Sequence, residues 1–150
     1  MSNTPDISPA EYRALAEFRY ELRRFLHFSE EAARAAGLEP QQHQLLLAIK
    51  GLPEEKTASV GELAERLQLQ HHSTVELVNR MAVRGLIERR RDEQDQRRVL
   101  VSLTAYGEEV LKKLSLLHRM ELRNTGPSLV EVLNALTNGA VETDKSTILE

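Results

Sequence analysis

Apolar side chains return every three or four residues at Leu15, Phe18, Leu22 and Phe25. The small Ser29, Ala32, Ala33 and Ala36 continue the stripe, with Arg and Glu opposite. That period predicts one long amphipathic helix over 8–36. Ser8-Pro9-Ala10-Glu11 reads as its start, since a Ser oxygen accepts an orphan N–H and Pro suits the first helical position. Gly37 stops it. Glu39-Pro40 opens a second helix, apolar at Leu45, Leu46, Leu47 and Ile49, that ends near Lys50-Gly51. Beyond the polar loop 52–57, Ser59-Val60-Gly61-Glu62 is a capping box for a short helix with Leu63, Ala64 and Leu67 inward. Gln68-Leu69-Gln70 links it to a helix from His71 to Arg84, with Val75, Val78 and Met81 expected on the buried side and Gly85 as the stop.

The period then changes. Residues 86–91 and 98–103 read as two strands around the polar turn 92–97, with Val99, Val101 and Leu103 alternating against Leu100 and Ser102. Another helix starts at 104 and carries Val110, Leu111, Leu114, Leu117 and Leu122. Gly126-Pro127-Ser128 predicts a break before a short last helix holding Leu129, Val130, Val132, Leu133 and Leu136. Residues 1–7 read as an N-terminal tail and 137–150 as a frayed one. Two short helices joined by a tight turn, then strand–turn–strand, make a winged helix-turn-helix. The expected fold class is therefore mainly α with a small β-wing, in a single domain over 8–136. All three Phe and two of the three Tyr lie in the first helix, which favours an oligomerisation helix over ordinary core packing.

At 150 residues the chain can bury a core without disulfide or metal, and 41% hydrophobic with 29% charged positions fits a soluble globular protein. Cysteine is absent, which excludes disulfide scaffolds, thiolate metal sites and thiol redox sensing. The start of the chain shows no signal peptide, and no apolar run approaches the roughly 20 residues that span a bilayer, so a cytoplasmic protein with no membrane partner is expected. No Gly-rich phosphate loop or nucleophile elbow is visible, so an enzyme is not expected, and no cofactor is either.

The net charge of −3 looks unsuited to a polyanion. Its distribution says otherwise. From Arg66 to Arg98 there are eight Arg and five acids, a local +3, and the remainder carries −6. Arg outnumbers Lys by 15 to 5, and Arg is the side chain that forks onto phosphate and guanine. The outward face of the fourth helix is expected to show His71, His72, Ser73, Thr74, Glu76, Asn79 and Arg80, all able to bond base edges or phosphates. The hairpin adds Arg89, Arg90, Arg97 and Arg98, with Asp95 placed to hold Arg97 by a charge-assisted bond. The bland alternative is a solvated helix face and a hairpin laced with surface ion pairs, each worth about 0–1 kcal/mol.

The runs Ser59–Leu67, His71–Val75 and Arg84–Ile87, with the wing Asp92–Arg98 and the following Val101-Ser102-Leu103-Thr104-Ala105-Tyr106-Gly107, resemble the MarR family of bacterial transcription regulators. The resemblance covers essentially 8–136. It implies a homodimer joined through 8–36 and 104–136, a DNA-binding lobe over 40–103, and double-stranded DNA bound at a pseudo-palindromic operator. By position it makes Arg97 a minor-groove Arg with Asp95 as its partner, and His72, Ser73, Thr74 and Arg80 readers or phosphate contacts. Two departures stand out: Gln70 at the N-cap of the fourth helix, where Ser or Thr is commoner, and Glu93 in place of a frequent Pro. The family also implies release by a small lipophilic or aromatic effector, with Phe18, Arg23, Phe25, His43 and Leu111 as candidate pocket residues. Two alternatives stay open. One is a zinc- or other metal-responsive regulator using His43 and His118, with Glu21 or Glu30, although no His pair has i, i+4 spacing. The other is a winged-helix module that binds protein, which would need an exposed apolar patch on the fourth helix or wing.

Overall fold

Hydroxyl side chains set three of the helix starts. Ser8 Oγ accepts the Glu11 N–H at 3.2 Å, Ser59 Oγ the Glu62 N–H at 3.2 Å, and Thr104 Oγ1 the Gly107 N–H at 3.0 Å; each such cap contributes about 1 kcal/mol. The computed structural model describes residues 4–138. Its elements are α1 (Pro9–Ala35), α2 (Pro40–Lys50), α3 (Val60–Leu67), α4 (His71–Val83), β1 (Ile87–Arg91), β2 (Val99–Leu103) and α5 (Ala105–Thr137). Gly37 (φ 80°) and Gly85 (φ 76°) end α1 and α4 in the left-handed region, as the glycine signals predict. The helical architecture with a two-stranded wing is the one expected. None of the described helices is long and apolar enough to cross a membrane. Of the expected tails 1–7 and 137–150, residues 1–3 and 139–150 lie outside the described residues.

The chain divides into two compact units, residues 30–117 and residues 1–29 with 118–150. The first contains the whole expected lobe 40–103 together with the flanking turns of both long helices. Its core joins Ala33, Leu38, Leu45, Leu46, Leu63, Leu77, Val78, Met81, Leu86, Ile87, Val101, Leu111 and Leu114. The buried face of α4 is rotated from the expected one. Thr74 is fully buried and Leu77 and Val78 are buried with Met81, while Val75 is only half-buried. Thr74 is tolerated there because its Oγ1 donates to the Gln70 carbonyl at 3.0 Å, leaving the methyl to pack like that of Val. The α3–α4 turn uses Gln68 at φ 55°, and Leu69 N–H closes it onto the Ala64 carbonyl at 3.0 Å.

β1 and β2 pair antiparallel, Ile87 with Leu103, Arg89 with Val101 and Arg91 with Val99. The far edge of β2 is covered in part: Ser59 bridges Leu100, and Val101 N–H donates to the Ala58 carbonyl at 2.8 Å. A paired edge cannot recruit another strand. The end of the wing is clasped to the end of α4. Thr104 Oγ1 donates to the Gly85 carbonyl at 2.6 Å and Thr104 N–H to the Leu86 carbonyl at 3.1 Å. A Cβ at Gly107 would lie 2.1 Å from that Leu86 oxygen, so only glycine fits.

In the other unit His118 Nε2 lies 2.8 Å from Ser29 Oγ, with Phe25 and Phe28 edge-on at 6.0 and 5.4 Å. The break predicted at Gly126-Pro127-Ser128 does not occur, and α5 runs through Pro127. A half-buried stripe of His118, Glu121, Thr125, Leu129, Val132 and Leu136 keeps helical phase across it. Pro127 itself faces outward, and Thr125 Oγ1 bonds back to the Glu121 carbonyl at 2.9 Å. Continuous packing along that stripe outweighs the roughly 3 kcal/mol that an internal Pro costs. The apolar side chains of this unit are largely unburied: Tyr12, Leu15, Tyr20, Leu26, Met120, Leu122, Val130 and Leu133 are all exposed.

Gly107→Ala is expected to destabilise the chain by roughly 1–3 kcal/mol, because α5 must retreat from the Leu86 carbonyl. Urea denaturation checks this. A midpoint equal to that of the wild type would show that the approach is not tight.

Candidate nucleic-acid interface

α4 starts without a side-chain cap, since Gln70 occupies the N-cap position but makes no capping bond. The first N–H groups of the helix therefore point outward beside His71, His72 and Ser73, a favourable environment for an anion. Of the expected outward residues, His71, His72, Glu76 and Arg80 are exposed and Ser73 and Asn79 half-buried. Thr74 is not among them, because burial removes it from any contact surface. His72, Glu76, Asn79 and Val83 form the central outward stripe by helical spacing. Val83 is 89% exposed, an apolar residue within an otherwise polar face.

The three consecutive arginines of β1 go to different places. Arg89 and Arg91 share a face of the ribbon and Arg90 takes the other. Arg89 Nη1 donates to Asn79 Oδ1 on α4, and Arg91 Nη1 donates to the Gln96 carbonyl at 2.8 Å, bracing the wing tip. Arg90 is exposed, opposite Leu100.

The tip is ordered by its own acids. Gln94 N–H donates to Asp92 Oδ1 at 2.9 Å, Asp92 N–H to the Arg98 carbonyl at 3.0 Å, and Arg98 Nη1 lies 3.7 Å from Asp92 Oδ2. Asp95 holds Arg97 with both carboxylate oxygens, Nε to Oδ1 at 3.1 Å and Nη2 to Oδ2 at 3.4 Å, and also accepts the Arg97 backbone N–H at 3.1 Å. The Arg97 side chain is nevertheless 91% exposed. Its guanidinium is held in orientation yet open to solvent, and that is the arrangement the sequence predicted for this pair. The Arg97 side chain, then its backbone N–H, holds the Asp95 carboxyl below its ordinary value of 3.8. The sequence reading missed Arg91, Asp92 and Gln96, whose service is internal to the tip. The Asp92–Gln94 spacing of an Asx-turn was the available signal.

The expected pocket residues divide between the two units. Phe18 and Phe25 are half-buried and Arg23 exposed in one unit, whereas His43 and Leu111 are buried in the other. Leu111 lines a cavity of about 400 Å³ with Lys50, Ala105, Glu108, Lys112 and Ser115, and Lys50 Nζ pairs with Glu108 at 3.0 Å across it. Among the described residues no three His, Asp or Glu side chains come together as a metal site. Glu21 is buried beside Arg24 at 3.9 Å.

Residues 36–98, which span α2 to the wing tip, match the model of the MarR family. Through this segment the chain is similar to the MarR family. The organic hydroperoxide resistance transcriptional regulator of Bacillus subtilis (strain 168) is 41% identical over 68 residues, 45% of this chain. The matched stretch spans only 44% of that regulator's length. The fold likeness extends much further. AbsC, a MarR family transcriptional regulator from Streptomyces coelicolor, superposes with TM-score 0.71 over 95% of this chain and 99% of its own, at 21% identity. The S. aureus MepR–DNA complex gives TM-score 0.63 over 96% and 98%, at 17% identity, and apo MarR from E. coli gives 0.60 over 97% and 100%, at 20%. These relatives are transcription regulators rather than enzymes, and the MarR fold accounts for the expected winged helix.

In an NMR titration, the Asp95 carboxyl is expected to protonate below 3.8, returning toward that ordinary value in Arg97→Ala. Because the folded value is lowered, the clamp is intact above 3.8 and is lost only as pH falls through the lower value. An Asp95 midpoint unmoved by Arg97→Ala would dissolve the clamp.

Proposed function

We propose that this chain is a MarR-family DNA-binding transcription regulator that works as a homodimer on a pseudo-palindromic operator. The observation that carries the reading is the clamped, solvent-open Arg97 at the wing tip, in the same unit as an uncapped helix start bearing His71, His72 and Ser73. In this reading the N-terminal half of α4 enters the major groove, where His72, Ser73, Glu76, Asn79 and Arg80 meet base edges and phosphates. Arg90, Arg97 and Arg98 lie along the backbone, with Arg97 in the minor groove, where the potential is most negative. Asp95 fixes the guanidinium in advance, so less side-chain entropy is lost on contact.

The exposed apolar side chains of the helical unit support the dimer. Tyr12, Leu15, Tyr20, Met120, Leu122 and Val130 are all exposed on this unit, and a second copy of the chain would cover them. Two recognition helices would then sit about 34–36 Å apart, or a multiple of one turn, on one duplex face. A small lipophilic effector fits the cavity beside Leu111, whose wall is mostly apolar with Lys50 and Glu108 at its side. A response to hydroperoxide of the kind named for the Bacillus relative would have to avoid thiol chemistry, because these 150 residues hold no Cys.

An electrophoretic shift with genomic fragments separates this reading from a protein-binding winged helix, which would leave every fragment unshifted. On a bound fragment, Arg97→Ala is expected to weaken binding and lower the slope of log affinity against log salt by about one. An unchanged slope would remove Arg97 from the backbone. Sedimentation of the free protein should give a dimer, and a monomer at micromolar concentration would contradict the symmetric operator.

A further inference from the structure

We propose that Asn79 and Arg89 read DNA as one unit, and that their pairing makes this position select guanine over adenine. The inference rests on the DNA-binding reading and concerns its specificity.

Asn79 lies on the central outward stripe of α4, one turn beyond Glu76. An unengaged Asn in a major groove favours adenine, because its amide oxygen accepts from adenine N6 while its amide nitrogen donates to N7. Here one lone pair of the amide oxygen is taken by Arg89 Nη1, which sets the donors of a guanidinium beside the other. The orientation of the amide follows from chemistry, since a guanidinium has donors only and no acceptor for an NH2 group to face. Arg89 reaches Asn79 because it sits on the same ribbon face as the buried Ile87, opposite Val101, on the strand that packs against α4. Arg90 and Arg91 cannot substitute for it. One is on the opposite face and the other is spent on the Gln96 carbonyl.

What the pair offers outward is therefore mainly donors, the Asn79 amide NH2 and the remaining Arg89 N–H groups, with a full positive charge beside the one lone pair left on Asn79 Oδ1. Adenine would place its own N6 amino donors against these. Guanine presents two acceptors, N7 and O6, and satisfies them. Arg89 turns an adenine reader into a guanine reader without touching the backbone of α4.

The test measures the base preference of the full-length protein at every operator position. Operator variants compete against one another for wild type, Asn79→Ala, Arg89→Ala and the double variant. Thermal melts confirm that the substitutions leave the fold intact. Wild type should favour guanine at one position per half-site by about tenfold. Both single variants should lose the preference at that same position, and the double variant should be no worse than either. In Arg89→Ala the released Asn79 should shift the preference toward adenine. The proposal is overturned if Arg89→Ala leaves every base preference unchanged, or if the two single variants affect different positions additively. Failure of the wild-type protein to bind any fragment would instead sink the DNA-binding reading itself.

Discussion

The meeting of Thr104 and Gly107 with Gly85 and Leu86 is the constraint on which the DNA-binding unit depends. The Thr104 hydroxyl donates to the Gly85 carbonyl while accepting the Gly107 N–H, so one oxygen ends α4 and starts α5. Gly85 has to be left-handed for its carbonyl to turn toward Thr104, and Gly107 has to lack a Cβ for α5 to approach Leu86. Between these anchors run β1, the tip and β2, so the wing is a loop closed at its base by backbone contacts. Its orientation relative to α4 follows from that closure and not from the surface charges at its end. Exposed ion pairs are worth too little to aim a hairpin. They can order a hairpin that is already aimed.

The wing's charged residues divide accordingly. Arg91 and Asp92 hold the tip together, Asp95 orients Arg97, and Arg89 ties the strand to α4. A segment that looks from composition like one basic patch is a frame of internally engaged side chains presenting a few cations. The lowered Asp95 carboxyl expresses the same arrangement, since the carboxylate form is the one the Arg97 donors stabilise.

Most of this was legible in the residues. Caps announced α1 and α3 because a hydroxyl three residues before a free N–H has one obvious partner, and the Asp95–Arg97 pair was legible because its two groups are sequence neighbours. Thr74 was misplaced for an instructive reason. Its hydroxyl marks it as polar, but the bond to the Gln70 carbonyl removes that polarity within the helix itself, and periodicity counted on Val75 is rotated as a result. Pro127 misled in the opposite sense, because a local breaker was weighed without the packing stripe that runs past it. The Asn79–Arg89 bond joins two elements ten residues apart around a turn, and no spacing rule encodes it.

Charge then decides how the two units must cooperate. The +3 of Arg66–Arg98 lies wholly within 30–117, and most of the −6 carried by the remaining residues lies in that same unit. A surface with so modest a local excess releases few counterions, so its sequence-independent affinity for a duplex is small. Specific contacts made once per lobe cannot raise that to regulatory affinity, because each good base contact discriminates by only about 1–3 kcal/mol. Two lobes acting on one duplex can, since the second binds at the effective concentration set by the first. The apolar helical unit is therefore as much a part of DNA affinity in this reading as any arginine. In this reading it supplies the second lobe, so that the paired site is preferred over single ones.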